Sequence, residues 1–193
     1  MKRLFDIIFS FLVLFFILSW MYPLIGLLIK LSSKGPILFK QKRSGLDNKE
    51  FWCYKFRSMS KNVDADNKQA TKGDVRITTI GRFLRKSSLD EFPQFINVLK
   101  GDMSIVGPRP HMLKHTEQYS ELIKKYMVRQ LVKPGITGAA QIRGYRGETR
   151  EIKEMEGRVK WDVWYIENWT FFLDINIILR TVLNFIKGDE KAY

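Results

Sequence analysis

Residues 6–30 read DIIFSFLVLFFILSWMYPLIGLLIK, and between residues 4 and 31 the only side chains charged at neutral pH are Asp6 and Lys30. Such a run is a membrane segment. The basic Met1-Lys2-Arg3 start would also suit a signal peptide, but the apolar stretch exceeds a typical h-region and no A-x-A cleavage site follows. A plain spanning helix is the stronger competitor, because residues 6–22 can cross with the help of tilt. Two features favour a segment that enters and returns on one side. Pro23 removes a backbone hydrogen bond and disfavours helical geometry at Tyr22, and a straight helix over residues 4–31 would be ~42 Å long against ~30 Å of hydrocarbon. Basic residues also flank both ends, Lys2 and Arg3 before and Lys30, Lys34, Lys40, Lys42 and Arg43 after, and positive charge stays on the cytoplasmic side. Residues 1–34 are therefore expected to form a re-entrant helix hairpin that bends or breaks at Pro23. Its broken backbone would need burial or a local partner, since lipid offers none.

Outward from that segment, residues 35–193 are expected to form one compact α/β domain on the cytoplasmic face, mixing a short β-hairpin with helices. The chain has 193 residues with 45% hydrophobic content, enough for one core and an attached segment and against a two-domain soluble enzyme. Lys and Arg total 33 against 20 Asp and Glu, a net charge of +13 that favours nucleic acid, an acidic lipid surface or phosphorylated substrates. The single cysteine, Cys53, excludes an intramolecular disulfide framework and a Cys-based zinc site. Two β-like runs, 37–41 and 50–56, joined through Ser44-Gly45-Leu46-Asp47-Asn48, read as a hairpin, and residues 61–74 read as a polar, mobile loop. Near the C-terminus Trp161, Trp164, Tyr165, Trp169, Phe171 and Phe172 precede Ile175, Ile178, Leu179, Val182, Phe185 and Ile186 at near-helical spacing. That pattern suits an amphipathic helix at a membrane interface or packed on the core, and the N-terminal segment tips the balance towards the membrane.

The chemically loaded stretch is Arg82-Phe83-Leu84-Arg85-Lys86-Ser87-Ser88-Leu89-Asp90-Glu91-Phe92-Pro93-Gln94, in which cations run directly into adjacent carboxylates. Ser88-x-x-Glu91 matches a capping box, which would put Asp90 and Glu91 in the first turn of a helix for purely structural reasons. What raises the odds of chemistry is the neighbouring Gly107-Pro108-Arg109-Pro110. Two prolines stiffen the loop around Arg109, Gly107 allows close backbone approach, and the planar guanidinium fork suits a diphosphate. A carboxylate can attack phosphorus to give an acyl phosphate, and an adjacent acid can hold a divalent ion, so these parts together read as phosphoryl transfer.

Lys2-Arg3-Leu4-Phe5-Asp6, the apolar segment with Pro23, Tyr54-Lys55-Phe56-Arg57-Ser58-Met59, Ser88-Leu89-Asp90-Glu91, Gly107-Pro108-Arg109-Pro110 and Lys133-Pro134-Gly135-Ile136-Thr137-Gly138 follow in order. The chain thereby resembles the bacterial sugar transferase family, the monotopic phosphoglycosyl transferases, over nearly its whole length. The resemblance implies transfer of a sugar phosphate from a UDP-sugar to undecaprenyl phosphate, with Asp90 as nucleophile through a covalent phosphosugar intermediate and release of UMP. It implies that Asp90 and Glu91 work with Mg2+, that Arg109 holds phosphate groups, and that the catalytic body sits against membrane lipids on the cytoplasmic face of the inner membrane. Residues 141–149, with Met155-Glu156-Gly157-Arg158-Val159, Asp162 and Tyr165-Ile166-Glu167-Asn168-Trp169, are similar to the undecaprenyl-phosphate glucose phosphotransferase branch, which starts exopolysaccharide repeats. Glucose 1-phosphate is thus the favoured cargo, with galactose or an N-acetylated sugar next. That branch usually carries further N-terminal membrane helices, absent from these 193 residues, which leaves a small natural form or a truncation as alternatives. Ala139 stands where the family usually has tryptophan.

Lys55, Arg57, Arg85, Arg143, Arg146 and Asp162 are further candidate substrate contacts, although each suits equally a solvated charge or an ion pair. His111 and His115, four apart, would share a helix face as metal ligands do, but no third ligand follows at suitable spacing, and a place at the start of a helix after Pro110 is the preferred reading. Rival functions are a nucleic-acid binder, for which no motif appears, a non-catalytic membrane scaffold, and a one-step transferase using Asp90 as general base. Self-association into a homo-oligomer is left open.

Overall fold

The structure, a computed structural model, describes residues 1–60, 71, 73–147, 149 and 151–187. The expected loop 61–74 lies outside the described residues except for 71, 73 and 74, as does Glu148 of the segment that carried the glucose resemblance.

The apolar run forms α1 (Lys2–Val13), a π-helical turn (Leu14–Leu18) and α2 (Ser19–Ser32). Together they make a 31-residue helix, Lys2–Ser32, long and apolar enough to cross a membrane. The backbone is not broken at Pro23: the residue lies inside α2, and the irregularity falls one turn earlier. In the π turn the ladder widens ahead of the proline, and Ser19 N pairs with Leu14 O. Side chains serve carbonyls of the widened turn, with Ser19 Oγ donating to Phe15 O and Trp20 Nε1 donating to Phe16 O at 2.8 Å.

One stripe of this helix is buried along its whole length. Asp6, Ser10, Val13, Leu18, Met21, Ile25 and Ile29 recur at three to five residues and face the rest of the protein. Leu4, Ile8, Phe11, Phe15, Phe16, Trp20, Leu24, Leu27 and Leu31 point away and are exposed. The first half shares a core with Phe95, Val98, Ile105, Val106, Tyr165 and Ile177, and the second half shares another with Phe56 and Leu84. Both ends of the apolar segment are therefore seated on the same body.

The hairpin is present and longer than its sequence signal. β1 (Leu38–Ser44) pairs antiparallel with β2 (Glu50–Phe56), in register from Leu38 opposite Phe56 to Ser44 opposite Glu50. Its turn places Asp47 and Asn48 at φ 52° and 59°, a left-handed conformation that short polar side chains tolerate best after glycine. α3 (Thr79–Lys86) follows, capped by Thr78, whose hydroxyl accepts from Gly81 N. Then come a 3-10 turn (Leu89–Glu91), α4 (Gln94–Lys100) and β3 (Ser104–Val106). A parallel partner for β3, β4 (Gly135–Thr137), returns after α5 (Leu113–Leu122) and a 3-10 segment (Tyr126–Leu131). The strands thus form two two-stranded sheets among helices.

α6 (Ala139–Ile142), α7 (Ile152–Glu167) and α8 (Phe171–Lys187) complete the described chain. Ala139, the departure from the family pattern, lies in the main core and not on the surface. Of the expected C-terminal helix residues, Leu179, Val182, Phe185 and Ile186 are exposed together with Phe172 and Leu183, whereas Ile178 packs on the core. Trp161, Trp164 and Tyr165 belong to α7, and Tyr165 is buried beneath α8.

Candidate active site

Alternation along β2 sends Cys53 and Lys55 to one face and Trp52 and Tyr54 to the other, and on the Lys55 face the side chain meets the acidic turn. Ser88 opens that turn at φ 51°, in the left-handed region, and makes no cap. The expected capping box is therefore not formed, and Asp90 and Glu91 occupy a 3-10 turn ahead of α4 instead of its first turn. An N-cap residue needs extended backbone, and the Glu91 carboxylate is engaged elsewhere. Its Oε1 accepts from Lys55 Nζ at 2.7 Å and from Arg109 Nη2 at 2.6 Å, and its Oε2 accepts from Arg109 Nη1 at 3.1 Å. Asp90 accepts no side-chain hydrogen bond among the described residues, yet it is as buried as its neighbour, 8% exposed against 7%.

Arg109 reaches Glu91 because β3 ends at Val106 and the chain then runs, at Gly107, close against the Lys133–Gly135 backbone. A Cβ at Gly107 would lie 2.5 Å from Lys133 O, so the close approach expected of this glycine is present. Gly107 N donates to Thr137 O and Gly135 N donates to Pro108 O, both at 2.9 Å, which ties the start of the arginine loop to β4.

The two carboxyls titrate in opposite directions. Burial pushes Asp90 upward, Lys55 draws it back, and the neighbouring Glu91 charge raises it again. Burial also works against the Glu91 charge, but Arg109 and Lys55 outweigh it and hold Glu91 well below the usual carboxylate range. Arg109, half-buried, keeps its proton because Glu91 faces it. Burial raises the Cys53 thiol, so it stays protonated and takes no nucleophilic part.

Behind Arg109 lies a buried polar brace that the sequence reading missed. Arg129 Nη2 donates to Arg109 O at 2.8 Å, Arg129 Nε donates to Asp162 Oδ2 at 2.8 Å, and Arg129 Nη1 lies 2.8 Å from His111 Nδ1. His111 Nδ1 also meets Tyr126 Oη at 2.6 Å. Burial, then Arg129 and Arg158, hold His111 well below its ordinary range, so the imidazole is neutral and its Nδ1 accepts. Arg129 carried no signal beyond its charge, since its partners lie 18 to 33 residues away in sequence.

The candidate contacts divide accordingly. Lys55 and Arg109 converge on Glu91; Arg85 acts electrostatically on Asp90 and Arg146 on Glu91. Arg85 Nε donates to Ser58 Oγ at 2.9 Å, and Arg146 Nη2 donates to Ser88 Oγ. Arg57, Arg143 and Asp162 are engaged elsewhere. Arg57 donates to Lys34 O and, at 2.8 Å, to Ser33 O, closing the C-terminal end of α2. Arg143 lies over the Trp161 ring at 3.7 Å, and Asp162 is the partner of Arg129. His111 is committed to the brace, and His115 sits on α5 with its ring edge-on to Tyr119.

No group of three or more His, Cys, Asp or Glu able to hold a metal occurs among the described residues. The Asp90–Glu91 pair nonetheless fits Mg2+, which binds through one or two carboxylates and substrate phosphates. Two carboxylate oxygens offer about four lone-pair sites, and the cations occupy three at Glu91, so room remains there and at Asp90.

The family model described as Bacterial sugar transferase matches residues 1–188. A UDP-glucose:undecaprenyl-phosphate glucose-1-phosphate transferase from Klebsiella pneumoniae is 53% identical over 196 residues, covering 100% of this chain and 41% of that protein. A UDP-N-acetylgalactosamine-undecaprenyl-phosphate N-acetylgalactosaminephosphotransferase from Aeromonas hydrophila is 42% identical over 164 residues, 84% of this chain and 38% of its own length. The chain thus spans about two-fifths of the length of these relatives. An exopolysaccharide production protein PSS from Rhizobium leguminosarum bv. phaseoli is 43% identical over 189 residues and is covered over 94% of its length, with 95% of this chain aligned. With the match to the family model running from residue 1 to 188, across the apolar helix and the carboxylate turn alike, the chain belongs to the bacterial sugar transferase family.

Proposed function

We propose that the chain is a phosphoglycosyl transferase that moves a hexose 1-phosphate, glucose 1-phosphate in the first instance, from a UDP-sugar to undecaprenyl phosphate. The observation that carries this reading is the asymmetry of the carboxylate pair. Glu91 is held by Lys55 and Arg109, while Asp90 beside it accepts no side-chain hydrogen bond among the described residues and is left to react.

An Asp90 carboxylate oxygen attacks the sugar-bearing phosphorus of the donor. The bridging P–O bond breaks with its electron pair going to UMP, and a sugar phosphate remains esterified to Asp90. A phosphate oxygen of undecaprenyl phosphate then attacks the same phosphorus, the acyl P–O bond breaks, and Asp90 leaves as carboxylate. No proton changes hands in either half. Arg109, Lys55, Arg85 and Arg146 supply cations where phosphate charge gathers. Mg2+, held by Asp90 and Glu91 with the donor's phosphates, would neutralise diphosphate charge when bound.

The same reading places the body on the cytoplasmic face of the inner membrane. Supporting it are the exposed apolar stripe of α1 and α2, the seating of both their ends on one body, and the exposed Phe172, Leu179, Val182, Leu183, Phe185 and Ile186 of α8. A helix with both ends on one body favours entry and return on the same side, and α8 then lies in the headgroup zone. Since Cys53 is the only native cysteine and is buried, cysteines introduced before Met1 and at Lys34 should both react with an impermeant thiol reagent from the cytoplasmic side alone.

The deciding experiment is UMP release by detergent-solubilised protein with Mg2+ and undecaprenyl phosphate, using UDP-glucose and UDP-N-acetylgalactosamine in parallel, beside Asp90→Asn. Transfer predicts lipid-dependent turnover that vanishes in the variant and a labelled sugar phosphate trapped on wild-type protein. Turnover without any trappable adduct would favour direct displacement. Silence with every donor from folded protein would defeat the proposal.

A further inference from the structure

The transfer chemistry leaves unexplained the opening Lys2-Arg3-Leu4-Phe5-Asp6, three charged side chains at the mouth of an apolar helix. Charges in such a place are costly unless paired. All three are paired, and each has a partner in the backbone of the two elements that carry the site. Arg3 Nη1 donates to Val98 O at 2.5 Å and Nη2 to Leu99 O at 2.9 Å, the last-turn carbonyls of α4. α4 begins three residues after Glu91. Asp6 Oδ1 accepts from Ile105 N at 3.1 Å, the β3 amide that alternation turns away from β4. Lys2 Nζ donates to Val106 O at 3.0 Å, at the end of β3 immediately before the Gly107–Arg109 loop.

The clamp is itself anchored. Lys2 Nζ pairs with Asp174 Oδ2 of α8 at 2.5 Å, and Asp174 also accepts from Tyr165 Oη at 2.6 Å and from Trp169 Nε1 at 3.1 Å. Burial and then Asp174 raise the Tyr165 hydroxyl, which therefore remains a donor. One helical turn thus grips the helix that follows the carboxylate turn and the strand that precedes Arg109. Both grips fall on residues 92–108, the chain path from Glu91 to Arg109.

We propose that Lys2, Arg3 and Asp6 are positioning residues that set the separation of Glu91 and Arg109, so that seating of the apolar helix is a condition for binding the donor's diphosphate. The proposal rests on the transfer reading for the identity of the donor and on geometry for the rest.

Its test is a double-mutant cycle between Asp6→Ala and Arg109→Ala, read as the dissociation constant of UDP for the full chain in detergent and, separately, as kcat/KM for UDP-glucose. Asp6→Ala alone should weaken UDP binding roughly tenfold, the scale of one hydrogen bond to a charged group. In the Arg109→Ala background the same change should cost little, and Asp6→Asn, which keeps an acceptor for Ile105 N, should restore most of the affinity. If Asp6→Ala does not fold, Arg3→Lys, which keeps the charge and loses the fork, carries the same cycle. Additive losses, or full UDP affinity in Asp6→Ala, would overturn the clamp. Coupled UDP binding without turnover of any UDP-sugar would sink the transfer reading and leave the clamp standing, whereas Asp90-dependent turnover with an additive cycle would sink the clamp alone.

Discussion

Arg109 faces Glu91 through both arms of its guanidinium, Nη2 at 2.6 Å from Oε1 and Nη1 at 3.1 Å from Oε2. This pairing fixes the fork in the plane a carboxylate or a phosphate would take, and it leaves Asp90 as the carboxyl of the pair with no such partner. The asymmetry between the two adjacent acids follows from which one the arginine reaches.

A pH dependence with opposite signs follows. Asp90, raised by burial above its ordinary 3.8, binds more protons in the native than in the unfolded protein, so its contribution to stability is present at low pH and is lost as pH rises from the unfolded value through the raised one. Glu91, depressed below 4.5, contributes stability above that value that is lost as pH falls. Denaturant titrations should therefore find Asp90→Asn gaining on wild type as pH rises above the ordinary carboxylate range. The acid limb of kcat/KM should lie above that range too; a limb at or below it would mean that Asp90 is not the group ionised for reaction.

Arg57→Ala should act on stability and not on the donor. Losing the guanidinium that closes α2 at Ser33 and Lys34 should cost about 2 kcal/mol, visible as a lower denaturation midpoint, while KM for UDP-sugar in the folded fraction is unchanged. A KM rise without loss of stability would restore Arg57 to the substrate contacts.

Asp162→Ala strands Arg129 as a buried cation and should destabilise the fold by about 3 kcal/mol. Because Arg129 also holds Arg109 O, the variant should lose donor affinity as well, which calorimetric titration with UDP would detect. Unchanged affinity in folded Asp162→Ala would show that the brace does not bear on the site.

Gly107→Ala should abolish turnover while leaving the apolar helix seated. The added methyl would meet Lys133 O at 2.5 Å and force β3 from β4 just where the arginine loop begins. Activity near wild type would require that the strands part without moving Arg109.

Much of this protein was legible before any fold. A sustained apolar run, an alternating pair of strands around Gly45-Leu46-Asp47-Asn48, and carboxylates beside a proline-flanked arginine depend on near neighbours, so composition and spacing by themselves determined the apolar helix, the hairpin and the candidate site's acidic and arginine segments. The failures share a cause. Ser88-x-x-Glu91 has capping spacing, but Glu91 takes stronger partners 18 and 36 residues away, and Ser88 turns left-handed. Pro23 is expected to bend or break the helix, but it stands inside α2, which remains helical on both sides of it, and the irregularity falls at the π turn before it. Arg57 and Asp162, for which substrate contact and an ion pair are equally open in the sequence, are held by backbone carbonyls and by Arg129. The sequence alone determined which chemical groups are present and which segments they ride on. Tertiary structure decided which charge meets which, because a buried ion pair is chosen by geometry across the fold, and nothing in local spacing encodes a partner a hundred residues away.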